Sequence, residues 1–207
     1  MKIAIFGSTG ALGIQLTNIA LSEGHDVKVL VRDPSKQTIS HDNLKVVKGD
    51  VMNISDVESV IAEQDVILSA LGVGRSTKPT VTFSKGTQNI INSASKLGVN
   101  RLVCVSSAGV EDDPSFPFIY RKIIRPLFLK NIYSDMAEME RVIRSSDVDW
   151  TIIQPYTLTN GPVSKSYRTQ VNGLIQKGKN ISRADVAHLM LQTVRRSGNQ
   201  EAIAIAY

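Results

Sequence analysis

Lys2-Ile3-Ala4-Ile5-Phe6-Gly7-Ser8-Thr9-Gly10-Ala11-Leu12-Gly13 opens the chain, and its reading decides the fold. Ile3 to Phe6 is an apolar run too short for a helix and of the kind that a strand covered on both faces requires. Glycines then recur at three-residue spacing and lead into a helix over about 11–22. Gly7 permits a tight turn, Gly10 lets a ligand approach the backbone, and Gly13 lets the helix pack closely on the sheet. Such a helix aims unpaired N–H groups and its positive end at whatever lies over the turn. Gly7, Ser8, Thr9, Gly10, Ala11 and Leu12 therefore read as a phosphate cradle. A glycine-rich turn of purely structural purpose is the alternative.

Working outward, short apolar runs alternate with stretches of helical period. Strands are expected at Ile3–Phe6, Val27–Val31, Leu44–Val47, Val66–Ser69, Leu102–Val105 and Trp150–Gln154, with a closing strand at Ala202–Tyr207. Helices are expected at about 11–22, 54–63, 80–97 and 134–145. Ser182 as N-cap, with Asp185 three residues on, opens another helix to about Val194. Strands alternating with helices imply right-handed crossovers and a doubly wound, parallel, Rossmann-like α/β sheet. One domain over residues 1–207 is expected; segment 155–180, rich in Gly, Ser, Thr and Asn, reads as irregular, and residues 155–181 would contribute a small substrate lobe. Residues 111–117 read as a loop, since two prolines and an acidic cluster cannot continue a helix. Residues 118–130 are apolar and basic. Arg121-Lys122-Ile123-Ile124-Arg125 has the pattern of a membrane-surface helix, but Pro126 is expected to cut it short and leave a surface helix or protein-contact face.

In open α/β sheets, ligands lie beyond the carboxyl ends of the strands. The second strand ends in Leu30-Val31-Arg32-Asp33-Pro34-Ser35-Lys36. An acid arriving first would hold a ribose 2′-hydroxyl. Arg32 arrives first instead, with Ser35 and Lys36 close behind, and a guanidinium fork and an ammonium suit a 2′-phosphate. A surface pair between Arg32 and Asp33 is the alternative. The expected cofactor is therefore NADP(H). Asp50 ends the third strand and would accept from an adenine amino group. Ala70-Leu71-Gly72 ends the fourth, and Ser106-Ser107-Ala108-Gly109 ends the fifth at the expected reaction centre.

Composition excludes other classes. Of the 207 residues, 42% are apolar and 21% charged, as in ordinary globular domains, and no apolar run approaches a membrane span. Cys104 is the single cysteine, so an internal disulfide and a cysteine-cluster metal site are excluded. No cleavable signal is read at the start, and a cytoplasmic location is the expectation. The net charge is +5, but the basic residues are scattered and only 5% of residues are aromatic, so no nucleic-acid partner is expected. No metal is expected either. Oligomeric state is open between a monomer and a small homo-oligomer.

Together these residues resemble the atypical short-chain dehydrogenase/reductases of the biliverdin-IXβ reductase, or flavin reductase, type. The resemblance is carried by Lys2 to Gly7, Val29 to Asp33, Gly49-Asp50-Val51, Leu71-Gly72, Ser84 to Ile90, Ser107-Ala108 and Ile181 to Leu191. It implies that Gly7, Thr9, Gly10 and Leu12 contact a pyrophosphate, and that Arg32, Ser35 and Lys36 surround a 2′-phosphate. It implies Asp50 and Val51 at the adenine, and Leu71, Gly72 and Arg75 near the ribose and phosphates. Ser106 and Ser107 would flank the nicotinamide, with Pro155 bordering its carboxamide. Two positions depart from the pattern. The Tyr-x-x-x-Lys acid is missing, because Tyr120 is followed four residues later by Ile124 and Tyr133 by Ala137. Met136 and Glu140 stand where the biliverdin-type enzymes carry histidines.

Ser107 is the candidate nearest the hydride, either orienting substrate or satisfying its own loop. Phe116, Phe118 and Tyr120 would floor an aromatic pocket or merely cover a core, with Tyr156 as a further wall. The expected activity is NADPH-dependent hydride transfer to a planar conjugated small-molecule acceptor: a flavin, quinone or tetrapyrrole. Such acceptors can take their proton from solvent. The alternative is a non-catalytic NADP(H)-sensing regulator of the same fold.

Overall fold

Apolar runs too short for helices pair side by side, because only a sheet covered on both faces buries them completely. The computed structural model describes residues 1–74, 76–111, 118–196, 198 and 200–207. Arg75 and Phe116, both named above as candidates, lie outside the described residues. The first half runs β1 (Lys2–Phe6), α1 (Ala11–Ser22), β2 (Asp26–Val31), β3 (Leu44–Lys48), α2 (Ile54–Ile61), β4 (Val66–Ser69), α3 (Thr82–Leu97) and β5 (Arg101–Val105). A long helical arm follows, π-helical over Tyr120–Leu129 and continuing as α4 (Lys130–Arg144). The chain closes with β6 (Asp149–Pro155), β7 (Thr157–Thr159), β8 (Arg168–Val171), β9 (Asn180–Ser182), α5 (Arg183–Val194) and β10 (Glu201–Ala206).

The main sheet has the order β3-β2-β1-β4-β5-β6-β10-β8. All neighbours are parallel except β10 and β8. Helices α1 and α5 cover one face around Leu16, Ala20, Val186 and Met190. Helices α2, α3 and α4 cover the other around Val57, Ile90, Met139 and Ile143. This is the expected doubly wound parallel fold, and the strand order reverses between β1 and β4, where such sheets open a crevice. Ser182 caps α5 as anticipated, accepting from the Asp185 amide at 3.0 Å.

Three expectations are corrected. β3 is an edge strand with Lys45, Val46 and Lys48 exposed, so its run is not covered on both faces. Segment 155–180 is not irregular throughout: β7 and β9 form a separate two-stranded parallel sheet, and β8 joins the main sheet antiparallel to β10. Arg168–Val171 is exposed along its whole length, so it carried no apolar signal. Pro126 does not end the helix around it. The wider π turn takes the carbonyl four residues back out of the ring's path, and the arm runs on into α4. Among the described residues, no helix is long and apolar enough to cross a membrane.

Candidate functional site

At the switch point the ends of β1 and β4 nearly touch. Gly7 has φ +84°, and a Cβ there would stand 2.2 Å from the Ala70 carbonyl oxygen. A Cβ on Gly13 would stand 2.1 Å from the Gly7 carbonyl oxygen. Gly7 therefore excludes a side chain by both backbone conformation and close packing, and Gly13 by close packing alone. At Gly10 the nearest atom to a Cβ is 3.3 Å away, so access from outside is the better reason for its glycine. No side chain caps α1 and its first turn holds no acid, which leaves its first N–H groups and dipole open toward the crevice. Thr9, Gly10 and Ala11 are exposed there, while Ser8 and Leu12 are buried. The Gln37 amide donates to the Ser8 hydroxyl at 3.2 Å, tying the loop after β2 to the glycine turn. Gln37 was not among the sequence candidates, and a lone loop glutamine gives no signal.

Arg32, Ser35 and Lys36 are all exposed beyond β2. Asp33 is engaged by Ser35, accepting from its amide at 3.1 Å and its hydroxyl at 2.7 Å, and so caps the short turn Pro34–Lys36. These bonds hold the Asp33 carboxyl below its usual range. The alternative reading, in which Asp33 serves Arg32, is not the arrangement seen.

Asp50 accepts from the Met52 amide at 3.0 Å, and its own amide donates to Asp56 at 2.9 Å. Val51 is buried, its carbonyl held by the Asn89 side-chain amide at 2.9 Å. A Cβ on Gly86 of α3 would lie 3.1 Å from Val51 and 3.2 Å from Leu71, so that glycine lets the helix settle against both. Gly72 is exposed just beyond Leu71.

Past the ends of β5 and β6 lies a cavity of about 840 Å³, lined by Ser106, Ser107, Tyr120, Tyr133, Pro155 and Tyr156 among others. Ser106 is buried and its hydroxyl has no hydrogen-bond partner among the described residues. Ser107 caps the turn Ala108–Val110 by accepting from the Gly109 amide at 3.2 Å, so the loop-satisfying reading holds, while the same residue lines the cavity. Tyr156 donates to the Ile175 carbonyl at 2.9 Å and is buried, consistent with a wall.

The Tyr120 and Tyr133 hydroxyls lie 2.7 Å apart. A Cβ on Gly109 would fall 2.3 Å from one and 2.6 Å from the other, so both phenols rest on that glycine. Burial, then the hydrogen bond to Tyr133, push the Tyr120 phenol well above its ordinary value. Arg125 donates to the Gly109 and Val110 carbonyls at 3.3 and 2.9 Å, fastening the arm to the same loop. Tyr133, Met136, Lys179 and Arg183 also line the cavity and were not sequence candidates for it. Leu129, Tyr133 and Met136 share one helical stripe, a signal present in the sequence. Glu140 faces elsewhere: it is buried, accepts from Gln154 at 3.0 Å and pairs with Arg144 at 3.2 Å.

A cradle without room for a Cβ and an uncapped helix start fit a dinucleotide laid across the strand ends. The chain is 28% identical over 204 residues to a UPF0659 protein of Schizosaccharomyces pombe, covering 90% of this chain and 81% of that one. A short-chain dehydrogenase/reductase from Veillonella parvula, solved in complex with NADP, matches with TM-score 0.81 and 19% identity, covering 100% of this chain and 94% of that one. ChuY, an anaerobillin reductase from Escherichia coli, matches with TM-score 0.79 and 21% identity, covering 100% and 97%. The NAD(P)H-binding family model matches residues 7–197, and the chain belongs to that family.

Proposed function

We propose that the chain is an NADPH-dependent reductase that passes hydride to a planar conjugated acceptor: a flavin, a quinone or a tetrapyrrole. The observation that carries this reading is the cavity of about 840 Å³ beside Ser106 and Ser107, where a bound nicotinamide would meet a second ligand. Its volume falls within the range of sites for drug-sized molecules. Similarity to an anaerobillin reductase supports an extended, conjugated acceptor.

In this reading the turn from Gly7 to Leu12 holds the pyrophosphate, and Arg32, Ser35 and Lys36 meet the 2′-phosphate. Asp50, Val51, Leu71 and Gly72 hold the adenosine half, and Arg75 follows them in the chain. Ser106 and Pro155 seat the carboxamide end, and Ser107 orients the acceptor. Segment 155–181 is the substrate lobe, closing the cavity with Tyr156. The reduced nicotinamide supplies a hydride when bound. The chain's own task is to hold the two rings together, exclude water and deliver a proton. The paired phenols of Tyr120 and Tyr133 stand where a Lys-assisted tyrosine is missing and supply a donor that the sequence did not reveal. Lys179 and Arg183 at the cavity suit an acceptor bearing carboxylate or phosphate groups.

Purified protein mixed with NADPH and, in turn, a free flavin, a soluble quinone and biliverdin tests the reading through loss of NADPH absorbance. Turnover with at least one acceptor is expected. Tight NADP(H) binding without turnover on any of them refutes the reductase and leaves the sensing protein.

A further inference from the structure

The arm from Phe118 to Lys130 presents an apolar surface to solvent. Six of the fifteen large apolar residues exposed among the described residues fall within residues 118–128: Phe118, Ile119, Ile123, Ile124, Leu127 and Phe128. Phe118 is 72% exposed, Leu127 71% and Phe128 57%, values that no core-facing side chain would show. Arg121, Arg125 and Leu129 are half-buried at four-residue spacing, with Tyr120 adjacent to Arg121, and the rest of the arm faces outward. A contiguous exposed patch of this kind on a folded chain marks a binding surface.

Charge indicates what binds. No acidic residue occurs from 118 to 130, and the exposed charged side chains there are Lys122 and Lys130. Lys122 lies between Ile119 and Ile123, and Lys130 two residues beyond Phe128. Large apolar side chains interspersed with lysines, with no acid among them, suit the boundary between anionic headgroups and acyl chains. Pro126 lies inside the helix without ending it, so the arm is long enough to lie along a bilayer surface.

We propose that this arm seats the protein on an anionic lipid bilayer, with Phe118, Ile119, Leu127 and Phe128 entering the headgroup boundary and Lys122 and Lys130 meeting the lipid charges. Tyr120, Ile124 and Leu129 of the same arm line the cavity, so docking would hold that cavity close to the bilayer and favour a lipophilic acceptor. This last step rests on the reductase reading; the docking itself does not.

Co-sedimentation of the full chain with vesicles tests it. Mixed phosphatidylcholine and phosphatidylglycerol vesicles should pellet the protein, pure phosphatidylcholine should pellet far less, and added salt should release it. Lys122→Gln and Lys130→Gln should each weaken partitioning about fivefold. Leu127→Glu with Phe128→Glu should weaken it more than about tenfold, with unchanged thermal midpoint and NADPH affinity. No binding to the anionic vesicles overturns the proposal, as does equal binding by the double variant. A concentration-dependent dimer that the double variant dissolves, without vesicle binding by the parent chain, also overturns it and makes the arm a contact between two copies. Vesicle binding with no turnover on any acceptor would leave the docking intact and refute the reductase.

Discussion

Asp135 of α4 caps α3: its carboxylate accepts from the Ser84 hydroxyl and from the amides of Phe83 and Ser84 at 2.9 and 3.2 Å. Val81, which precedes α3, offers no side-chain cap, so the first turn of that helix takes its acceptor from 51 residues away. The bond also fixes α4 two residues after Tyr133, so one buried carboxylate links a helix start to the cavity wall. Asp135→Ala would strand three buried donors and cost about 2 kcal/mol. For a chain of this size, that is a drop of about 4–8 °C in the thermal midpoint. A midpoint matching the parent chain would show that water replaces the cap.

Arg32 and Lys36 separate the two nicotinamide cofactors through one phosphate. Charge-assisted bonds of this kind contribute about 1.5–3 kcal/mol each, so Arg32→Ala should lower NADPH affinity by about tenfold or more and leave NADH affinity nearly unchanged. Lys36→Ala should act in the same direction and more weakly, since an ammonium makes a less directional contact. Calorimetric titration with both cofactors measures the ratio. An unchanged ratio in Arg32→Ala would remove that residue from the 2′-phosphate site.

The sequence made the sheet legible because Ile3–Phe6, Val66–Ser69 and Leu102–Val105 are pure apolar runs, and burial on both faces leaves such runs no other use. It also made the glycine turn legible, since three glycines at three-residue spacing between a strand and a helix stand together in the chain, although the contact that excludes a side chain at Gly7 comes from distant Ala70. Long-range polar contacts were another matter. Tyr120 and Tyr133 meet 13 residues apart across a π-helical stretch, and nothing in either position announces the pairing. β8 was invisible because its residues are exposed and polar, and its place in the sheet is decided by backbone bonds to β10. Pro126 misled because a proline is costly to an α turn, while a wider turn accommodates it.

Asp185 gathers the segment around it. It is fully buried and accepts from the Ser164 amide and hydroxyl at 2.9 and 2.7 Å, the Lys165 amide at 2.8 Å and the Tyr207 hydroxyl at 2.7 Å. Burial pushes its carboxyl upward, but the bonds from Tyr207, Ser164 and Lys165 outweigh that and hold it below the usual range. A depressed carboxyl stabilises the fold fully above its unfolded value, near pH 4, and loses that contribution as pH falls through the folded value. Asp185→Asn should therefore melt below the parent chain at neutral pH, with a gap that narrows in acid. Thermal midpoints of both proteins from neutral pH to about pH 3 measure it. A gap of constant size would mean that the charge contributes nothing.

Tyr133 provides the test of the chemistry itself. Its hydroxyl meets Tyr120 over Gly109 in the cavity, and the phenol of Tyr120 is held well above its ordinary value. A raised phenol keeps its proton through the usual tyrosine range, so Tyr120 stays protonated beside Tyr133 there. Tyr133→Phe should lower kcat by about a hundredfold, the order expected when a positioned acid is lost, with NADPH affinity unchanged. Tyr120→Phe should cost less, because Tyr133 keeps its own proton and loses only its partner. The parent rate should stay flat toward high pH, supported by the raised Tyr120 phenol, while removal of the donor should make the rate fall as solvent protons become scarce. If Tyr133→Phe retains the parent kcat and the same flat profile, the proton comes from solvent and the tyrosine pair serves only to shape the cavity.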